Sequence, residues 1–230
     1  MKVLVIIPAY NEEACLADSV EALSETCPTI DYLIVNDGSR DRTGAIIAEH
    51  GFNGVTLPVN TGLASAFRTG MKYAKRHGYD AAIQYDADGQ HLPGFIPIMA
   101  SALEREHADI VIASRVLNGE KLTGMRALGS KLISALIKAT ARVSLTDPTS
   151  GMRMYSARMI EYFATGFDCA PEPDTIALAA RQGCKVVEIP AQMQDRQGGE
   201  SYLKFGSSIR YMARTCLSIL LFQWFRKGGL

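Results

Sequence analysis

Two aspartates separated by one residue, Asp86 and Asp88 in the phrase IQYDADGQHLP, close an apolar run and are followed at once by Gln90 and His91. In extended chain, residues two apart point to the same side, with Cα atoms roughly 6.5–7 Å apart. Carboxylates so placed repel unless a cation lies between them. A hard divalent cation, Mg²⁺ or Mn²⁺, accepts one or two carboxylates and keeps positions open for water and phosphate oxygens. Gln90 can add a neutral oxygen. The competing reading is a solvated turn, because Asp and Gly are ordinary turn residues. Polar clusters elsewhere in the chain decide between the two.

Those clusters depend on the elements that carry them. Residues 3–7 are continuously apolar and largely β-branched, which suits a strand covered on both faces. Apolar positions in residues 12–25 fall at helical spacing. Strands are expected at residues 31–37, in GVTLPV, at 80–86 and at 109–115, with helices between them; GLASAFRTGMKYAKRHG ends in Lys, Arg and His, as the helix dipole prefers. This βα alternation predicts an α/β fold, a mostly parallel sheet flanked by helices. Ligands of such sheets bind beyond the carboxyl ends of the strands. PAYNE, NDGS, DADGQH and SR all fall at those ends, and four clusters on one rim favour the metal over the turn.

The rim predicts nucleotide contacts. Asp37, beside Asn36, can accept hydrogen bonds from a nucleobase N–H or a ribose hydroxyl. The same residues also suit a type I turn with Ser39 as a helix cap. Pro8, Tyr10 and Glu12 share the rim: Tyr10 can stack near the base and Glu12 can meet the ribose, while Asn11 can cap the next helix. No G-x-x-x-x-G-K-[ST] segment is present, and no G-x-G-x-x-G follows the first strand. A P-loop is thereby set aside and a nicotinamide site weakened. A phosphatase-type D-x-D ends the first strand, whereas this one ends the fourth.

Bulk properties exclude other classes. Lys and Arg number 24 against 24 Asp and Glu, so no overall positive charge points to nucleic acid. Five widely spaced cysteines with no C-x-x-C pair predict reduced thiols rather than a disulfide framework or zinc site. MKVLVIIPAYNEE reads as a first strand, not a signal peptide. The apolar stretch CLSILLFQWF has about half the ~20 residues needed to span a bilayer. One domain is expected over residues 1–230: a nucleotide-binding half (1–115), an acceptor-binding half (116–204) and a closing amphipathic helix (205–230). A helix is also expected over 126–143, a loop entering a strand in DPTSGMRMY, and a strand in CKVVEIPAQM.

IPAYNEE, VNDGS, YDADGQHLP, ASR, DPTSGMRMY and R-x-GGES stand in the order seen in family 2 glycosyltransferases of GT-A fold. The chain most resembles the branch of dolichyl- and polyprenyl-phosphate sugar synthases, over nearly its whole length. Asn36 stands where that branch often has an Asp, and the membrane helices that some members append are missing from this sequence.

The resemblance implies inverting, metal-dependent transfer of a hexose or N-acetylhexosamine from a UDP- or GDP-sugar to polyprenyl phosphate. It implies a diphosphate-holding cation on Asp86 and Asp88, with Gln90 as third ligand and the Asp86–Ala87–Asp88 turn against the donor. It places Arg115, Arg126 and Ser130 on the acceptor phosphate, and Arg196 on the donor pyrophosphate. Glu172, in APEPD, matches a carboxylate seen with either kind of acceptor. Asp88, Arg115, Arg126 and Glu172 are thus the candidate catalytic residues. The basic, aromatic tail predicts an interfacial helix at the cytoplasmic membrane face, against lipid or a small membrane protein. Two alternatives stay open: transfer to a glycan hydroxyl with Glu172 or Asp174 as base, and a non-catalytic nucleotide-sugar-binding protein.

Overall fold

The computed structural model describes residues 1–120, 123–166, 170–194 and 205–222. In chain order these form β1 (Val3–Ala9), α1 (Leu16–Thr26), β2 (Asp31–Asn36), α2 (Thr43–Glu49), β3 (Gly54–Thr56), α3 (Leu63–Arg76) and β4 (Ala81–Gln84). Then come α4 (Phe95–Arg105), β5 (Ile110–Ser114), α5 (Gly124–Ala141), β6 (Arg153–Ser156), α6 (Ala157–Thr165), α7 (Pro173–Arg181), β7 (Val186–Pro190) and α8 (Phe205–Leu217). A π-helical turn, Ser218–Phe222, follows α8.

The strands make one seven-stranded sheet in the order β3-β2-β1-β4-β6-β5-β7. β1 pairs in parallel with β2 and β4, β2 with β3, and β5 with β7. β6 runs antiparallel to both β4 and β5. The expected parallel sheet is therefore interrupted by one inserted strand. The carboxyl ends of β1, β2, β4 and β5 nevertheless share one edge, as the four polar clusters require.

The sheet is covered on both faces, which is why its central strands read as unbroken apolar runs. Alternate residues of β1 enter opposite layers, following the two-residue period of a strand. Leu4 and Ile6 meet Phe67 and Met71 of α3 and Ile160 and Phe163 of α6. Val5 and Ile7 meet Leu16, Val20 and Leu23 of α1 and Ile96 and Met99 of α4. The short β3 and the partly exposed β7 form the edges.

Two helices went beyond the expected elements. α6 follows β6 directly, and α7 starts with Pro173 in its first turn, where a missing N–H costs nothing. Of the closing helix expected over 205–230, residues 223–230 lie outside the described residues; in the rest, α8 ends at Leu217 and widens into the π-helical turn.

α3 lies so close to β1 that a Cβ on Gly70 would stand 2.4, 2.8 and 2.9 Å from three side-chain atoms of Ile6. Ile6 is fully buried and stiff at χ1. Alanine at position 70 gains about 1 kcal/mol of helix propensity, but overpacking costs ~1–3 kcal/mol. Gly70→Ala is expected to lower stability by up to about 2 kcal/mol in urea unfolding. An unchanged or raised midpoint would show that α3 can lift off the sheet.

Candidate active site

The rim is held together by its own polar side chains. At the end of β1, Asn11 adopts φ 56°, and its side-chain oxygen accepts the Arg40 N–H at 2.9 Å while its own N–H donates to Ser39 Oγ at 3.0 Å. Glu12 N–H donates to Thr43 Oγ1 at 2.9 Å and Glu13 N–H to Asp41 Oδ2 at 3.1 Å. Arg42 N–H returns a bond to Glu13 Oε2 at 2.9 Å. Five reciprocal bonds thus clip the β1–α1 loop to the start of α2, and Asn11 takes part in them as a cap. Pro8, near the end of β1, and Tyr10 and Glu12 on this loop all remain partly accessible, and the Cys15 thiol donates to Glu12 Oε2 at 3.2 Å.

Asn36 uses both ends of its amide: Oδ1 accepts the Ser39 N–H at 3.1 Å, and Nδ2 donates to Thr56 Oγ1 at 3.3 Å. A carboxylate cannot donate, so this arrangement suits Asn where the branch often has Asp. Asp37 is buried, and its carboxylate accepts four bonds. These come from Thr61 N–H and Oγ1, both at 2.8 Å, Gly62 N–H at 2.7 Å and Asn60 Nδ2 at 3.1 Å. Asp37 therefore fixes the loop that leads into α3. Asn60, Thr61 and Gly62 are rim residues that the sequence reading did not pick out. Their signal is the NTG phrase before an amphipathic helix.

At the end of β4, the Asp86–Asp88 turn is pinned from below by Ser19 of α1, whose hydroxyl donates to Ala87 O at 2.7 Å. Asp88 is buried, and its Oδ1 accepts the Gln90 N–H at 3.1 Å. Asp86 is partly exposed, with Gln84 Nε2 donating to its Oδ1 at 3.1 Å. Burial, together with the negative charges of Asp88 and Asp86, pushes the Tyr85 phenol well above its usual range. Among the described residues no group of three or more His, Cys, Asp or Glu converges in a way that could hold a metal ion. The turn instead offers two carboxylates and the neutral Gln90. Such a set fits a hard divalent cation that completes its shell with water or phosphate oxygens.

At the end of β5, Arg115 forms a bidentate pair with Asp147: Nε to Oδ2 at 2.7 Å and Nη2 to Oδ1 at 2.8 Å. The Asp147 side chain is 0% exposed and that of Arg115 15%. Burial alone pushes the Asp147 carboxyl up, but the Arg115 fork, the Thr149 hydroxyl and the Arg115 N–H outweigh it and hold it below the usual range. Glu188 of β7 accepts the amides of Thr146 and Asp147, both at 2.7 Å. Thr149 Oγ1 lies 3.0 Å from Asp147 Oδ1 and 3.4 Å from the hydroxyl of Ser130, a buried residue of α5.

The structure thus brings Arg115 and Ser130 into one network, through Asp147 and Thr149. Of those two mediators the sequence reading had only the DPTSG phrase. The backbone of Arg126 lies in α5, but its side chain lies outside the described residues, as does Arg196. Glu172 is the residue before α7. Asp174 accepts from Ser218 Oγ at 2.5 Å and from the Thr175 N–H at 3.0 Å, so it fastens the π-helical turn to α7. Burial beside Glu172 raises the Tyr211 phenol to about 12.

The profile of Glycosyl transferase family 2 matches residues 4–163. An undecaprenyl-phosphate mannosyltransferase of Micrococcus luteus is 32% identical over 223 residues, covering 90% of this chain and 89% of its own. A polyprenol monophosphomannose synthase of Mycolicibacterium smegmatis is 30% identical over 91% of this chain and 83% of its own. Glucosyl-3-phosphoglycerate synthase of Mycobacterium tuberculosis, solved with Mn²⁺, UDP and phosphoglyceric acid, superposes with a TM-score of 0.69 at 18% identity. The match covers 96% of this chain and 78% of that one, and it establishes the fold as GT-A. The chain belongs to glycosyltransferase family 2, in the dolichyl- and polyprenyl-phosphate sugar synthase branch, and is a glycosyltransferase.

Proposed function

We propose that this enzyme moves a hexose or N-acetylhexosamine, with inversion, from a UDP- or GDP-sugar to a polyprenyl phosphate at the cytoplasmic membrane face. The observation that carries the acceptor is the helix pair beside the Arg115–Asp147 network. α5 and the α8 segment pack on each other, so tightly that a Cβ on Gly129 would stand 2.1 Å from Met212 Sδ. Neither contains an Asp or Glu. They expose Leu128, Leu132, Leu217, Leu220 and Leu221, together with Lys131, Lys138, Arg210 and Arg214. Exposed leucines with basic and no acidic companions suit an anionic lipid surface. Among the described residues no helix is long and apolar enough to cross a membrane. The relatives named for undecaprenyl phosphate and polyprenol support the same acceptor class.

The chemistry follows from that acceptor. A lipid phosphate is already anionic near neutral pH, so its oxygen can attack the anomeric carbon without a general base. The bond from that carbon to the diphosphate breaks, and a nucleoside diphosphate leaves. Asp86 and Asp88, with Gln90, would hold a divalent cation, which when bound neutralises charge on the leaving diphosphate. Pro8, Tyr10, Glu12, Asn36 and Asp37 frame the nucleotide, the last two by fixing the loops around it, and Arg196 is assigned to the pyrophosphate by family resemblance. Asp147 holds the Arg115 fork rigid, while Ser130 and Arg126 complete the acceptor phosphate site. Glu172 is not required as a base in this reading, because the phosphate attacks already ionised.

The direct assay offers UDP- and GDP-sugars, Mn²⁺ and a short polyprenyl phosphate, with product read by mass spectrometry. Sugar attached to a glycan hydroxyl, with the lipid phosphate untouched, would refute the acceptor. Asp88→Asn is expected to lower transfer by about 100-fold or more, the scale of losing one electrostatic partner of developing charge. In vesicle co-sedimentation, the protein is expected to prefer anionic over neutral vesicles. Leu128→Asp with Leu132→Asp should weaken that binding by about 10-fold or more per leucine. Equal binding by this double variant would remove α5 from the membrane face.

A further inference from the structure

His91 closes the Asp86–Asp88 turn and has no task in the reaction described above. Its ring is buried, and Nδ1 accepts the backbone N–H of Asp86 at 3.0 Å. A ring nitrogen that accepts carries no proton, so in the neutral ring the proton sits on Nε2. Nε2 lies 3.7 Å from Asp86 Oδ2, outside hydrogen-bonding range but aimed as a donor at a carboxylate. The ring is held in that orientation. Tyr85 packs edge-on against it, with centroids 5.7 Å apart, and the backbone of His91 bridges to Met193. On the other side of the carboxylate, Gln84 Nε2 donates to Oδ1 at 3.1 Å.

Each oxygen of Asp86 therefore faces one donor, and a carboxylate has about four lone-pair directions, so capacity for a cation remains. His91 is not itself the ligand: one nitrogen accepts the Asp86 amide and the other carries the proton. Gly151, entering β6, leaves the space for this arrangement. A Cβ there would stand 3.1 Å from Asp86 Oδ2 and 3.5 Å from His91 Nε2.

We infer that His91 is a positioning residue for the Asp86 carboxylate: the buried ring, with Nε2 3.7 Å from one oxygen, and the Gln84 bond to the other oxygen confine it to the orientation that receives the divalent cation. The inference rests on the proposed metal site. Metal ligands are commonly oriented by outer partners of this kind, whose loss weakens binding by about 10–100-fold.

The test measures Mn²⁺ affinity without turnover, from the electron paramagnetic resonance signal of free Mn²⁺ in the presence of UDP or GDP. Thermal unfolding of each metal-free variant serves as the folding control. His91→Ala and His91→Asn are expected to weaken Mn²⁺ by about 10–100-fold. His91→Gln, whose amide nitrogen reaches the place of Nε2, should recover most of the affinity. Gly151→Ala should weaken Mn²⁺ by crowding Asp86. A folded His91→Ala variant that binds Mn²⁺ like the wild type would overturn the inference. Equal losses in His91→Asn and His91→Gln would also overturn it, because packing rather than the Nε2 donor would then carry the effect. A wild-type protein that binds no Mn²⁺ with either nucleotide would bring down the metal site itself, and the role of His91 with it.

Discussion

One buried carboxylate organises the acceptor side of this enzyme. Asp147 has no contact with water, and a charge in that position persists only when paired and hydrogen-bonded. Arg115 supplies the pair from the end of β5, Thr149 adds a hydroxyl, and Glu188 of β7 fixes the backbone on which Asp147 sits. Breaking a buried pair of this kind costs roughly 3–5 kcal/mol, because the remaining partner is stranded. A penalty of that size locks the Arg115 fork into one rotamer. The fork is then a preorganised feature of the site, with its charge offset by Asp147, rather than a free cation awaiting an anion.

The β1 and β2 end of the rim uses the same device with more carboxylates, bonded to backbone N–H groups at 2.7–3.1 Å. Loops at the carboxyl edge of a parallel sheet present N–H groups that no strand satisfies. Asp37, Asp41 and Glu13 absorb those donors at residues 61 and 62, 13 and 43, and 42. An acid on this rim therefore shapes the nucleotide pocket even where its own oxygens are already filled. Asp86 is different: it stays partly exposed, accepts one side-chain bond from Gln84 and has His91 Nε2 3.7 Å away, which leaves it capacity for a ligand.

These distinctions explain what the sequence could and could not reveal. β1, β2, β4 and β5 were legible because strands covered on both faces must be apolar throughout. Their polar ends were legible as one rim because parallel strands share an edge. The orientation of β6 was not, since RMYS is short and its pairing with β4 and β5 joins residues some 70 and 45 positions apart. Asp37 could be found but its use could not be assigned, because capping a loop and contacting a nucleobase ask for the same side chain. His91 stood in plain view beside Gln90, yet its role turns on which ring nitrogen meets the Asp86 amide, and that is a fact of geometry. Arg126 and Arg196 rest on family resemblance.

The inserted antiparallel strand has a consequence for how donor and acceptor ends communicate. The segment entering β6 carries Asp147, Thr149, Gly151 and Arg153 within seven residues. Asp147 grips Arg115, Gly151 lies against Asp86 and His91, and Arg153 donates to Pro148 O at 2.8 Å and to Pro171 O at 2.6 Å. Because β6 is hydrogen-bonded to both β4 and β5, this segment cannot shift without disturbing the strand that carries the Asp86–Asp88 turn and the strand that carries Arg115. A parallel strand in that place would deliver its carboxyl end to the rim and its entry loop to the opposite edge. Reversal puts the entry loop on the rim instead, between the diphosphate end and the acceptor end. The spacing between the Asp86–Asp88 turn and Arg115 is therefore set by sheet hydrogen bonds, which are among the least deformable distances a protein has.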